Sequence, residues 1–215
     1  MGGLSARMAD GQEAGRQEAG PHAAWPALEA QIERSADLLL HAGAVERDGR
    51  AVLFPGVSGV GKSTMTAACL SCGFGYLSDE AVAVDLGSGH ITGMPRSLML
   101  TPWAVRALGM DERAGTGVGK VAVPVDAFGS EPVSGPLPVA HVVIIERGAE
   151  VTSVERVPAG EILTQVLKAS FNHYMHGARA WEAAARLAQE AQGWRLASAD
   201  PRSAATAVAD LFPPR

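Results

Sequence analysis

Lysine is scarce in this chain, with three in 215 residues against 25 glycines. A formal net charge of −5 speaks against a broad electrostatic surface for nucleic acid and leaves room only for a local basic cleft around phosphates. No run reaches the ~18 apolar residues that span a bilayer, and the N-terminus lacks the basic-then-apolar order of a secretory signal. The expectation is a cytoplasmic protein with neither membrane nor nucleic acid as partner. There are only two cysteines, Cys69 and Cys72, three residues apart. With no second pair, and with nearby histidines lacking zinc-ligand spacing, they read as two small helix residues and are assigned no function.

Hydrophobic residues make up 47% of the chain and charged residues 19%, ordinary values for a protein of one well-buried domain. Residues 1–24 are rich in Gly, Ala, Gln and charge without an apolar period, and read as a flexible tail. The domain is expected over residues 25–215. Leu28, Ile32 and Ala36 suggest a short helix over 26–36, and 160–176 and 178–192 read as two more. No fixed-period repeat is present.

The stretch from Gly56 to Thr64, Gly-Val-Ser-Gly-Val-Gly-Lys-Ser-Thr, fits G-x-x-x-x-G-K-[ST] at every fixed position. Composition alone would give this pattern roughly once in a few hundred such chains. It follows the apolar run Ala51–Phe54 and leads into Met65–Leu70, the order strand, glycine loop, helix. Gly56, Gly59 and Gly61 let backbone N–H groups close around a phosphate without Cβ atoms in the way. The helix start adds its unpaired donors and positive dipole end. Lys62 would reach the β and γ phosphates, and the Ser63 hydroxyl would hold Mg²⁺.

Upstream, Leu38–Val45 and Arg50–Phe54 are strand-like, with Asp48-Gly49 between them as a two-residue hairpin turn. An antiparallel partner immediately before the glycine loop departs from ordinary P-loop proteins, whose loop strand is flanked by parallel strands, and predicts a mixed sheet. If Arg47 faces Arg50, a constant register sum places His41 opposite Gly56. An imidazole there could pair with a phosphate or tune a carboxylate, or could simply close a strand end.

After the loop helix, Gly73–Ser78 reads as a return strand ending in Asp79-Glu80, and Ala81–Leu86 as the next strand. One acid of such a pair can serve Mg²⁺ while the other accepts the proton of an attacking hydroxyl. Gly87-Ser88-Gly89 predicts a second hairpin continuing through His90 to Leu98. Arg96, stiffened by Pro95, could hold a phosphate or substrate carboxylate, or be a surface arginine. Residues 109–120 read as a mobile loop from which Arg113 or Lys120 could approach a phosphoryl group, a solvated loop being the other reading. Trp103 is a candidate for base stacking, although a buried core tryptophan is the commoner case.

Leu40-His41-Ala42, Asp48-Gly49, the glycine loop, Gly73-Phe-Gly-Tyr-Leu-Ser-Asp-Glu80 and Pro95-Arg96-Ser-Leu98 occur in an order that resembles the catalytic domain of HPr kinase/phosphorylase. The order is closer still to that of its shorter HPr-kinase-related relatives. The resemblance covers residues 38–100 and is vague from there to about 175. It implies a mixed-sheet α/β P-loop domain like the nucleotide-binding core of phosphoenolpyruvate carboxykinase. It further implies that Gly56, Ser58, Gly59, Val60, Gly61, Lys62, Ser63 and Thr64 bind the phosphates of ATP. Asp79 would then be the general base, Glu80 would assist Mg²⁺ and His41 would support both.

Two features depart from the family. Its members usually carry Ser-Glu after the loop lysine and paired aspartates, where this chain has Ser63-Thr64 and Asp79-Glu80, and no HPr-specific region is recognisable. Some relatives are serine kinases, including ones acting on peptides of lasso-peptide gene clusters, and HPr kinases form hexamers. Homo-oligomerisation is thus implied by resemblance, with no interface signature in the residues. The expected activity is transfer of the γ-phosphoryl group of Mg-ATP to a hydroxyl on a peptide, a protein or a small metabolite. The alternative is a nucleotide-binding regulatory module without transfer.

Overall fold

The computed structural model describes residue 32, residues 34–110 and residues 119–213. The expected tail, most of the helix over 26–36, and Arg113 lie outside the described residues.

The hairpin is present as β1 (Leu38–Arg47) and β2 (Arg50–Pro55). Asp48 and Gly49 both have positive φ, 54° and 72°, as a tight turn matched to strand twist requires. Arg47 faces Arg50 and Ala42 faces Pro55. One step further, the Gly56 N–H donates to the His41 carbonyl at 3.3 Å, so the register set at the turn carries through to the loop.

The chain then forms α1 (Lys62–Leu70), β3 (Gly75–Ser78), β4 (Ala81–Val84), β5 (Ile91–Gly93), β6 (Leu98–Leu100), α2 (Pro102–Ala107) and β7 (Val121–Val123). It continues with β8 (Val139–Glu146), β9 (Ser153–Val157), α3 (Ala159–Lys168), α4 (His173–His176), α5 (Ala178–Glu190), β10 (Gln192–Ala197) and α6 (Pro201–Ala209). Eight strands form one sheet in the order β5-β4-β1-β2-β8-β10-β9, with β3 also paired to β1. The sheet is mixed: β2, β8 and β10 run parallel, whereas β1, β4, β5 and β9 join antiparallel. Strands β6 and β7 form a separate ribbon.

Side-chain alternation along the strands builds two cores. Val45, Val52, Phe54 and Tyr76 turn to the face covered by α1, α2 and α6. Ala44, Ala51, Leu53 and Leu77 turn to the face covered by α3 and α5. Gly43 allows α1 to sit close to β1, since a Cβ there would stand 2.7 Å from Thr66 Oγ1.

Three expectations change. The segment 160–176 is two helices, because residues 169–171 leave the helix to complete the edge of β1 that β2 vacates. There the His41 N–H donates to Ala169 O at 2.7 Å and the Phe171 N–H to Leu39 O at 2.9 Å, and such backbone groups must be paired when buried. The second hairpin ends at Gly93, and Leu98–Leu100 crosses to the ribbon with β7. Residues from Gln192 onward are strand β10 rather than a helix end.

Candidate functional site

Strands β2, β3, β8 and β10 all end at one edge of the sheet, since β3 is antiparallel to β1 and therefore points the same way as β2. In open α/β sheets the crevice beyond the carboxyl ends of the strands is where loops converge and ligands bind. A cavity of about 320 Å³ opens there. It is lined by the glycine loop from Ser58, the first turn of α1, the acids after β3, Glu146–Ala149 after β8 and Ser198–Pro201 after β10.

Within the loop, Gly59 and Gly61 have φ of 85° and 115°, a region that side chains other than glycine resist. Gly61 is the N-cap of α1, so no side chain caps the helix, and no acid lies in its first turn. The first N–H groups of a nine-residue helix therefore face the cavity with its positive dipole end. Ser63 and Thr64 lie on that turn and line the cavity. The Lys62 ammonium folds back onto the loop, donating to Gly56 O at 2.8 Å and Val57 O at 2.9 Å. Burial lowers its pKa to about 8, an effect that the charges of Glu80 and Asp79 partly offset. A buried cation held only by carbonyl oxygens is a receptor for an anion.

Asp79 and Glu80 sit in contrasting surroundings. The Asp79 side chain has no exposure and Glu80 is 41% exposed. Asp79 Oδ1 accepts from the Tyr76 hydroxyl at 3.3 Å and from Arg96 Nε at 3.2 Å. Its Oδ2 accepts a long 3.5 Å bond from the Met99 N–H. Burial, followed by the Asp79 charge, pushes the Tyr76 phenol well above its usual range, so it stays a donor. Glu80 Oε2 accepts from an Arg96 terminal nitrogen at 2.6 Å, and Oε1 lies 3.4 Å from His41 Nε2. The His41 contact lowers the Glu80 pKa to about 2 against the opposing effect of burial, helped by the charges of Arg96 and Lys62. The His41 ring in turn stacks on Phe171, centroids 5.6 Å apart.

Apart from Arg113, every residue singled out in the sequence for this chemistry is described. All of them line the cavity except Gly56, whose carbonyl holds Lys62, and Arg96, which bridges the two acids. Lys120 reaches the cavity wall, whereas His90 and the cysteines do not. Cys69 is buried in α1 and Cys72 is exposed just beyond it. Trp103 is 55% exposed and lines the cavity, so the core reading of that residue does not hold.

Sequence reasoning passed over the wall opposite the acids. Arg147 donates to Gly59 O at 2.9 Å and ties the β8 loop to the glycine loop. Asp200 caps α6 through the Arg202 and Ser203 N–H groups. The apolar run at 139–145 carried part of the signal, whereas 192–197, interrupted by Gln192 and Arg195, carried little, and the two mark a site only once both strands are known to lie parallel to β2. Among the described residues, no group of three or more His, Cys, Asp or Glu is placed to hold a metal ion. Mg²⁺ bound through substrate phosphates needs only one or two carboxylates, and the donor set of Ser63 and Glu80 fits that requirement. Among the described residues, no helix is long and apolar enough to cross a membrane.

No protein-family model and no curated protein matches the chain. Among solved structures it is similar to the HPr(Ser) kinase/phosphatase from Coxiella burnetii, with 12% identity and a TM-score of 0.39 over 80% of this chain and 89% of that one. Neither figure is high enough to carry function from that enzyme to this chain.

Proposed function

We propose that the chain is a P-loop phosphotransferase that binds Mg-ATP and moves its γ-phosphoryl group to a hydroxyl. One observation carries this reading: an uncapped glycine-lined helix start, a buried lysine and an adjacent pair of acids converge on one cavity at the carboxyl ends of parallel strands. Phosphoryl transfer asks little covalent chemistry of a protein and much positioning and charge neutralisation. The glycine-loop N–H groups and Lys62 would grip the β and γ phosphates, with Lys62 exchanging its two carbonyl partners for phosphate oxygens. Ser63 and Glu80 would hold Mg²⁺, whose charge would offset that of the phosphates.

The environments of the acids support a division of labour. Glu80, open to the cavity and held to a pKa of about 2, is a steady anion and a poor proton acceptor, suited with Ser63 to the metal. Asp79 is the proton acceptor for the attacking hydroxyl, through Oδ2, which makes only the long Met99 bond. Arg96 covers Asp79 and must swing aside for a substrate to reach it, and its guanidinium is then placed to meet substrate anion. His41 holds the Glu80 carboxylate in place. The acceptor is a hydroxyl of a peptide, a protein or a small metabolite, and the protein is read as cytoplasmic.

The experiment follows label from γ-labelled ATP with Mg²⁺ into a fractionated extract of peptides and metabolites, for wild type and Asp79→Asn. Label entering one fraction with wild type and not with the variant is expected. A second reading, a nucleotide-binding regulatory module, is favoured by the complete burial of Asp79 beneath Arg96. ATP binding that depends on Lys62, without label transfer to any fraction, would select it.

A further inference from the structure

We infer that Trp103 is the stacking platform for the base of a purine nucleoside triphosphate, an assignment that rests on the phosphate-binding reading of the glycine loop. Thr101 caps α2 by accepting from the Ala104 N–H at 3.2 Å, and Pro102 starts the helix. The inward stripe is Ala104, Val105 and Leu108, all packed in the core with α1 and α6. That geometry leaves Trp103 off the buried stripe, 55% exposed and on the cavity wall. Three aromatic side chains are largely exposed among the described residues, Trp103, Tyr174 and Trp181, and of these Trp103 alone lines the cavity.

The same lining includes the apolar residues Met65 on α1, Leu196 on β10, and Pro201 and Ala204 on α6. A large ring left open to water on a cavity wall that also carries apolar groups is a surface for a flat partner. The charged groups Lys62, Asp79 and Glu80 line the same cavity, so a ligand spanning it needs a polyanionic end and a planar apolar end. A nucleoside triphosphate has both.

Sheet order separates the base from the acceptor. The acids follow β3, which lies beyond β1 on one side of the loop strand, while β10 lies two strands away on the other side. In-line displacement puts the acceptor and the nucleoside on opposite sides of the transferring phosphoryl group. The acids mark the acceptor side, which leaves the nucleoside to the wall toward β10 and α6. Helix α2 spans between the two sides: the Met99 N–H just before it donates to Asp79 Oδ2 at 3.5 Å, and at its other end Leu108 O accepts from an Arg202 terminal nitrogen at 2.9 Å. Stacking area favours the two-ring purines over pyrimidines, and the triphosphate grip is indifferent to the base.

The test compares the affinities of full-length wild type, Trp103→Ala and Trp103→Phe for Mg-ATP, Mg-CTP and inorganic tripolyphosphate. Base stacking on an aromatic residue is worth about tenfold or more in binding. Trp103→Ala is expected to weaken ATP about tenfold, to narrow the ATP-over-CTP preference and to leave tripolyphosphate unchanged, with Trp103→Phe recovering most of the loss. Unchanged ATP affinity in Trp103→Ala would overturn the assignment, as would equal losses for ATP and tripolyphosphate. Wild type that binds tripolyphosphate but prefers no purine would overturn the stacking alone. Wild type that binds neither anion would overturn the phosphate-loop reading and the stacking with it.

Discussion

The two ends of the sheet use the same kinds of residue to opposite effect. At the hairpin end, Arg47 lies 3.7 Å over the Phe74 ring and donates to Cys72 O at 2.6 Å. Nearby, Arg50 sits 5.4 Å from the Phe212 ring, and the Trp194 N–H donates to His141 Nδ1 at 3.1 Å. Burial, then the charges of Arg50 and Arg156, lowers the His141 pKa to about 4, so that imidazole is neutral near neutral pH and accepts the indole proton. Cations there are spent on aromatic faces and carbonyls.

At the loop end, Lys62, Arg96, Asp79 and Glu80 meet around a cavity, with a helix start whose N–H groups no side chain caps. Burying charge is costly unless it is partnered. Charges gathered at the rim of a cavity therefore distinguish a site from a scaffold better than the mere presence of arginine, histidine or tryptophan.

The sharpest way to break this contrast is to remove one cation from each end. Charge-assisted hydrogen bonds are worth about 1.5–3 kcal/mol, so Lys62→Ala should weaken Mg-ATP binding about a hundredfold by titration calorimetry. Equal weakening by Arg47→Ala would erase the distinction between the two ends. Next in size is Gly43→Ala, whose Cβ must displace Thr66 Oγ1 from 2.7 Å. Overpacking of this kind costs about 1–3 kcal/mol, to be read as a lowered denaturation midpoint with ATP affinity also reduced, because Lys62 shares that contact.

A pH series sharpens the comparison further. Burial holds the Lys62 pKa at about 8, below the ordinary 10.5 of a lysine, so near pH 8 about half of the side chain is neutral before ligand binds. Phosphate favours the charged form, so binding should take up about half a proton at pH 8 and almost none at pH 6.5, and affinity should fall as pH climbs through 8. Calorimetry in buffers of different ionisation enthalpy measures this, and Lys62→Ala should abolish the uptake. Smallest is Arg47→Ala, which loses an aromatic contact worth about 0.5–1 kcal/mol and should lower stability by that much while leaving nucleotide affinity within twofold.

The hairpin and the glycine loop were legible because their signals are local: Asp48-Gly49 sets a register by turn geometry, and that register alone brings His41 to Gly56. The acids were legible as a strand-end pair, but their unequal exposure was not, since it depends on Arg96 folding back from a segment beyond β5. The wall at Arg147 and Asp200 was hidden because parallel pairing of β2, β8 and β10 joins segments far apart in the chain. The break at Ala169–Phe171 had no local cue either, as it answers the empty edge of β1. Trp103 was misjudged toward the core because a tryptophan's size favours burial in general, while its place beside the Thr101 cap turns it outward.

The central claim is that the loop end both holds a triphosphate and transfers its last phosphoryl group, with Asp79 and Glu80 in different roles. The most direct measurement sets Mg-ATP affinity beside ADP release, at varied Mg²⁺ and with the labelled acceptor fraction present, for wild type, Asp79→Asn and Glu80→Gln. Loss of a positioned proton acceptor costs about 10²–10⁴-fold. Asp79→Asn is therefore predicted to keep ATP affinity within twofold while turnover falls at least a hundredfold, and Glu80→Gln to raise the Mg²⁺ needed for half-maximal turnover. Turnover unchanged in Asp79→Asn, or an unaltered Mg²⁺ requirement in Glu80→Gln, would contradict the account.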